Sequence, residues 1–246
     1  MQTIKLIIEF EGTDFHGWQF QPNLRTVQGV LADALPGICG GIARLRSSSR
    51  TDAGVHARAM PVVFESERTL PMNAFLRGLN GTLPPDVKVR AAEEVPEGYN
   101  PRAESQGKAY EYRIWRDPLP SPLERRTSWY VPVSLDLEAM QRAAAYYVGT
   151  HDFNAFRSSQ CQSDTSVREI FSSEIRVESP EIWVYRVEGD AFLRNMVRIL
   201  VGTLVDVGGG KIEADAIPQI LASRDRTIAG RTAPPQGLFL DEVFYP

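Results

Sequence analysis

The chain is poor in the residues that build covalent staples, metal centres and membrane spans. It has 2 cysteines in 246 residues. Cys39 and Cys161 stand far apart and outside any Cys-x-x-Cys spacing, which excludes a disulfide framework and a zinc knuckle and fits a reducing compartment. The 3 histidines, His16, His56 and His151, occur at no ligand spacing. Each therefore reads as a hydrogen-bonded loop residue, and no metal site is expected. No apolar run approaches the ~20 residues of a membrane helix. The first residues, from Met1 to Gly12, carry Lys5 and Glu9 and lack the apolar region and cleavage site of a secretory signal. A cytoplasmic location is expected. Basic charge is not in excess either: 27 Lys and Arg stand against 31 Asp and Glu, a net charge of −4. That balance excludes a protein that coats nucleic acid indiscriminately. There is no GxGxxG, GxSxG or HExxH. Gly208-Gly209-Gly210-Lys211 looks like the end of a P-loop, but Val205 stands where its first glycine belongs and Ile212 where Ser or Thr belongs.

What is present is the balance of a globular enzyme, 43% hydrophobic and 24% charged. The length suggests one large domain or two small ones. Thr3 to Phe10 alternates as a strand, and Thr26 caps a helix with Val27, Val30, Leu31, Ala34 and Leu35 at helical spacing, stopped by Pro36-Gly37. Ile42 to Ser49 reads as a strand, Asp52-Ala53-Gly54 as a turn, and Ala57 to Glu65 as a second strand antiparallel to it. A short helix, Met72 to Leu79, and a strand, Val87 to Val95, complete a β-α-β-β-α-β order. The pattern then restarts with a strand from Lys108 to Arg116 and a helix from Leu135 to Val148, begun near Ser134 and closed by Gly149. A hairpin of Arg168 to Glu178 with Ile182 to Glu188 follows, then helices Ala191 to Val205 and Glu213 to Ala222, and a strand Leu238 to Phe244. The expected class is α+β: two consecutive ferredoxin-like units, 1–103 and 104–246, divided near Asn100 to Gly107. Their sheets would join into one largely antiparallel sheet with helices on one side and a central active-site cleft.

The informative stretch runs from Ser47 to Ala57. Between Gly37 and Met60 there are four arginines, Arg44, Arg46, Arg50 and Arg58, and a single acid, Asp52. At a period of two, Arg44, Arg46, Ser48 and Arg50 would share a strand face, a basic strip suited to phosphates. The plainer alternative is a solvated strand face followed by an ordinary turn. On the helix from Ala191 to Val205, Arg194, Asn195, Arg198 and Gly202 form a narrow stripe in an otherwise apolar surface. An arginine on so buried a helix needs an acid, and Arg198 and Asp52 are candidate partners; binding of solvent or phosphate is the alternative. On the strand after residue 107, Lys108, Tyr110, Tyr112 and Ile114 share a face, offering a cation and two rings to an unpaired base. One of the two tyrosines is expected to serve the core instead.

Together these residues resemble the bacterial tRNA pseudouridine synthase A family, the tRNA pseudouridine(38-40) synthases. The resemblance runs the whole length: His16-Gly17-Trp18-Gln19, Val27-Gln28, Arg50-Thr51-Asp52-Ala53-Gly54-Val55-His56-Ala57, Tyr110-Glu111-Tyr112, His151-Asp152-Phe153, Phe156-Arg157, Phe192 to Gly202, Asp225-Arg226-Thr227 and Gly237-Leu238-Phe239-Leu240. The chain departs from the family at Ser47-Ser48-Ser49, where Gly or Ala often precedes the Arg-Thr-Asp run. The resemblance implies that Asp52 is the catalytic nucleophile, that Arg50 helps to displace the target nucleotide, that Tyr110 contacts the flipped uracil and that Arg198 pairs with Asp52. Arg44, Arg46, Arg58, Lys108 and Arg194 are further candidates for RNA contact. The substrate implied is the anticodon stem-loop of tRNA, and the isomerisation needs no cofactor.

Two rivals are set aside on residues. A non-catalytic RNA-binding module would not need Asp52 and would show an RNP aromatic signature, which is missing. A glycoside hydrolase would need two cooperating carboxylates, and one is nominated. A homodimer is expected, since a net charge of −4 is unfavourable for gripping a whole tRNA, a single pair of ferredoxin-like units offers a modest surface, and two symmetry-related faces could share it.

Overall fold

Alternation in the first ten residues produces what it promises. In a computed structural model, which describes residues 1–41 and 44–246, strand β1 (Gln2–Phe10) buries Ile4, Leu6, Ile8 and Phe10, while Lys5, Ile7 and Glu9 between them stay half-exposed. Helix α1 (Val27–Ala34) starts at Thr26, whose hydroxyl accepts from the Gly29 N–H at 3.2 Å and so satisfies one of the open donors of the first turn. Pro36-Gly37 does not stop the chain's helical course. Proline is tolerated at a first helical position, and a second short helix, α2 (Pro36–Cys39), follows directly. Then come β2 (Arg46–Ser47), β3 (His56–Ser66), α3 (Met72–Thr82) and β4 (Val87–Val95).

The strand expected over residues 42–49 is reduced to the two residues of β2. Ile42 and Ala43 lie outside the described residues. After Ser47 the chain turns, because the Ser47 hydroxyl donates to the Ser49 carbonyl at 2.8 Å, a local bond that competes with the ladder. What remains pairs antiparallel with β3 as expected, Arg46 opposite Val63 and Ser47 opposite Val62. The proposed basic strip is therefore corrected: Arg44 and Arg50 are exposed, Arg46 is half-buried and Ser48 is fully buried, so they share no face.

The second half contains β5 (Gly107–Trp115), β6 (Trp129–Tyr130), α4 (Leu137–Ala145), β7 (Gly149–Asp152), β8 (Val167–Val177), β9 (Ile182–Gly189), α5 (Met196–Gly208), α6 (Ile217–Ser223) and β10 (Leu238–Phe244). Asp136, rather than Ser134, caps α4 by accepting from the Ala139 N–H at 3.0 Å. Helix α5 begins five residues later than the apolar spacing suggests. Asp190 takes the Glu169 and Ala191 N–H groups on its side chain, and Asn195 sits at φ +62, so residues 191–193 are irregular, 194–195 turn, and the helix starts only at Met196. Arg194 and Asn195 thus precede α5 and are not on its surface.

The chain divides into two compact units, Met1–Gln106 with Phe239–Pro246, and Gly107–Leu238. In the first, the strands run in the order β4-β1-β3-β10, with β2 also on β3. Neighbours are antiparallel except β10, which runs parallel to the start of β3 with Phe239 opposite His56. The core lies between this sheet and α1 and α3. Val27 and Leu31 come from α1, and Phe75 from α3 meets Phe64 edge-on at 6.0 Å between ring centres. In the second unit the order is β5-β9-β8-β7, with β6 on β5. Its centre is α5, in which every residue except Arg198 is buried. Burying that much apolar surface, at about 25 cal/mol per Å², is the main force ordering the unit. Among the described residues no helix is long and apolar enough to cross a membrane. The architecture is α+β with mixed sheets.

Candidate active site

Asp52 stands half-exposed on the loop between β2 and β3, and that loop is held by the one that carries His16-Gly17-Trp18-Gln19. Residues 12–18 wrap it through main-chain contacts. Trp18 N–H donates to the Thr51 carbonyl at 3.1 Å, Gly54 N–H to the Phe15 carbonyl at 3.3 Å, and Val55 N–H closes the turn on the Asp52 carbonyl at 3.2 Å. Two glycines permit the approach. A Cβ on Gly12 would fall 1.9 Å from the Val55 carbonyl oxygen, and Gly17, at φ +85, would place one 2.7 Å from the Thr51 carbonyl oxygen. The wrapping loop is in turn tied to the start of α1, where Val27 and Gln28 N–H groups donate to the carbonyls of Gly17 and Trp18 at 3.2 and 3.0 Å. Trp18 itself is buried.

His56 corrects an expectation. It is the first residue of β3 and fully buried, not a loop histidine, and its Nδ1 accepts from the Gly12 N–H at 2.9 Å. Its ring stacks on Phe239 at 4.6 Å. The Arg58 guanidinium also lies over Phe239, 4.6 Å from the ring centre, and pairs with Asp241 at 2.7 Å. Arg58 is therefore built into the first unit's packing, and Arg46 is engaged by Glu65 at 3.3 Å. Arg44 and Arg50 are exposed on either side of the turn.

In the second unit Tyr110 and Lys108 are half-buried on β5. Tyr110 meets the edge of Phe192 at 5.0 Å and 77°, a geometry that fixes the plane of its ring. Tyr112 is the core tyrosine. It is fully buried, its hydroxyl donates to the Pro234 carbonyl at 2.7 Å, and burial pushes its pKa well up. Arg194 is exposed. Arg198, in the first turn of α5, donates through Nε to the Ala233 carbonyl at 2.7 Å and through Nη1 to Asn195 Oδ1 at 3.1 Å.

The Ala233 carbonyl belongs to a strap, residues 230–233, laid along α5. Gly230 N–H donates to Thr203 Oγ1 at 2.9 Å, and Ala233 N–H to the Arg198 carbonyl at 3.0 Å. Gly202 opens the space, since a Cβ there would fall 1.7 Å from the Arg231 carbonyl oxygen. Asp206, buried in the same helix, takes the Arg231 guanidinium at 2.5 Å and Lys211 at 3.4 Å. Burial raises the Asp206 carboxyl pKa, but the Arg231 hydrogen bonds and charge, with Lys211, outweigh it and hold the group below the usual carboxylate range. Nothing in the local spacing announced this strap; only the glycine at 202 hinted at a close approach.

Among the described residues no group of three or more His, Cys, Asp or Glu could hold a metal ion. A cavity of about 510 Å³ in the second unit is lined by Tyr146, Thr150, His151, Asp152 and Arg224 with apolar neighbours, and none of the residues nominated for chemistry lines it.

Comparison with known sequences decides the family. Residues 6–102 and 143–246 match the family described as tRNA pseudouridine synthase. The chain belongs to it. Asp52, Arg50 and Arg198 fall within the matched residues, while Tyr110 and Lys108 lie in the interval between them. Full-length relatives named tRNA pseudouridine synthase A agree. The one from Geotalea daltonii is 49% identical and covers 100% of both chains. The one from Myxococcus xanthus is 50% identical over 100% of this chain and 92% of its own, and that of Syntrophotalea carbinolica 50% identical over 100% and 97%. A solved H/ACA ribonucleoprotein bound to a substrate RNA containing 2′-deoxyuridine is similar at 10% identity and a TM-score of 0.37, covering 82% of this chain and 53% of that one. Pseudouridine synthases are isomerases, and the family is that of the A-type tRNA enzymes.

Proposed function

We propose that this protein converts uridine to pseudouridine at positions 38, 39 and 40 of the tRNA anticodon stem-loop, in the cytoplasm and as a homodimer. The observation that carries the reading is the full-length family match together with the setting of Asp52. It is the single acid in an arginine-rich run, on a loop that main-chain bonds from residues 15 and 18 hold in place.

The reaction breaks the N-glycosidic bond, turns the uracil and joins its C5 to C1′, after which the C5 proton leaves. Atoms balance without a cofactor. A covalent adduct, a stabilised sugar cation and a glycal all draw on one carboxylate, and Asp52 supplies it as nucleophile. The target base must first leave the stack, at a cost of a few kcal/mol. Arg50, exposed beside Asp52, takes up contacts that the base gives up. Tyr110, its plane set by Phe192, stacks on the uracil. Arg198 pairs with Asp52 and keeps it ionised. The exposed Arg44 and Arg194, with Lys108, Arg46 and Arg58, meet phosphates to the extent that their own partners allow. The two halves are read as ferredoxin-like repeats; in the first unit the order β4-β1-β3-β2 with antiparallel neighbours supports this.

Asp52→Asn tests the assignment. The variant is expected to bind tRNA as the wild type does and to release no tritium from C5-labelled uridine in that tRNA. Substantial tritium release would overturn the catalytic role.

A further inference from the structure

We propose that Asn195 is a positioning residue that fixes the plane of the Arg198 guanidinium. The inference rests on the reading of Arg198 as the partner of Asp52. Arg198 is the one residue of α5 that is not buried, on a helix otherwise closed in by the core. Its guanidinium is anchored on two edges by two separate segments, Nε on the Ala233 carbonyl at 2.7 Å and Nη1 on Asn195 Oδ1 at 3.1 Å. One anchor would leave the planar group free to swing about that bond; two set its plane, and a fork that recognises a carboxylate depends on its plane.

The backbone of Asn195 is arranged for this contact. It stands immediately before the helix at φ +62 and ψ +3, the left-handed region that asparagine tolerates better than most residues with a Cβ. From there its carbonyl accepts the Ile199 N–H at 3.0 Å, while its side chain reaches the guanidinium three residues on. A residue chosen only to start the helix would accept a first-turn N–H on its side chain, and Asn195 makes no such capping bond. Its amide oxygen is used on Arg198. The Ala233 anchor is locked independently, since Ala233 N–H returns to the Arg198 carbonyl at 3.0 Å. The side chain of Asn195 is thus the one part of the arrangement that can be removed without disturbing the strap.

Asn195→Gly makes that removal, because glycine adopts the left-handed conformation without strain and the fold is kept. With a tRNA transcript as substrate, kcat should fall by about tenfold or more while KM stays within about twofold, since a misplaced catalytic group costs rate rather than binding. The thermal midpoint should stay within about 2 °C of wild type. Arg198→Ala is measured beside it. If Arg198→Ala abolishes turnover while Asn195→Gly keeps wild-type kcat, the positioning role is overturned and the role of Arg198 stands. If Arg198→Ala is fully active, the reading of Arg198 fails and takes the positioning role with it.

Discussion

Replacing His56 by leucine removes a hydrogen-bond acceptor from a buried place. The imidazole is 1% exposed and its Nδ1 lies 2.9 Å from the Gly12 N–H. A backbone N–H can only donate, so Nδ1 is the bare nitrogen and the ring proton sits on Nε2. Leucine leaves that N–H buried and unmatched, at a cost of about 1–3 kcal/mol. It also forfeits the stack on Phe239, which at 4.6 Å and 22° is worth about 0.5–1.5 kcal/mol. The sum is about 1.5–4.5 kcal/mol, and at roughly 2–4 °C per kcal/mol for a chain of this size the thermal midpoint should fall by roughly 3–18 °C. Activity should fall too, even well below the melting range. Gly12 is the residue that packs on the Val55 carbonyl, so losing its anchor loosens the turn that carries Asp52. His56→Asn, whose Oδ1 takes the place of Nδ1, should recover the hydrogen bond but not the stack and melt between the two. Calorimetry and tritium release on the three proteins check this. A leucine variant that melts within 1 °C of wild type and turns over normally would refute the reasoning.

Two further outcomes follow from the strap on α5. Gly202→Ala would drive a Cβ to 1.7 Å from the Arg231 carbonyl oxygen, so the strap must lift; a urea midpoint unchanged from wild type would contradict the contact, against an expected loss of about 1–3 kcal/mol or more. Asp206→Asn should lower stability at pH 7 and flatten its dependence on acid: the folded carboxyl is held below its unfolded value, so its contribution is present above the ordinary carboxylate range and is lost as pH falls through the depressed folded value. Urea midpoints at pH 7 and pH 3 decide it, an equal gap between variant and wild type at both being the refuting result.

Much of the fold was legible along the chain because its elements are periodic. Strand β4, Val87–Val95, was bounded to the residue, and Thr26 announced α1 as a hydroxyl residue standing just before a run of helical apolar spacing. Errors came where a side chain overrode the period. The apolar spacing of Ala191 to Leu193 fits a helix, yet Asp190 and Asn195 turn the chain there; the alternation before Ser49 fits a strand, yet Ser47 bends it. The site was legible in part for a different reason. The lone acid among arginines drew attention to Asp52, and the family motif named it, but the residues that hold it, Gly12, Gly17 and His56, carry no charge pattern and no period. Asn195 stood out in the sequence only as a member of the stripe with Arg198; its left-handed backbone conformation is not expressed there.

The sequence alone determined the longer strands and helices, though not the short α2, β6 and β7, together with the charge around Asp52 and the family, because each is written in neighbouring residues or in motifs read as they stand. Only the tertiary structure decided which segments hold the functional loops. Gly12 meets His56 across 44 residues, Arg198 meets Ala233 across 35, and Arg58 meets Asp241 across 183. Such contacts follow from chain closure and close backbone approach, which depend on the whole packed core and leave no local signal beyond a glycine where a side chain would not fit.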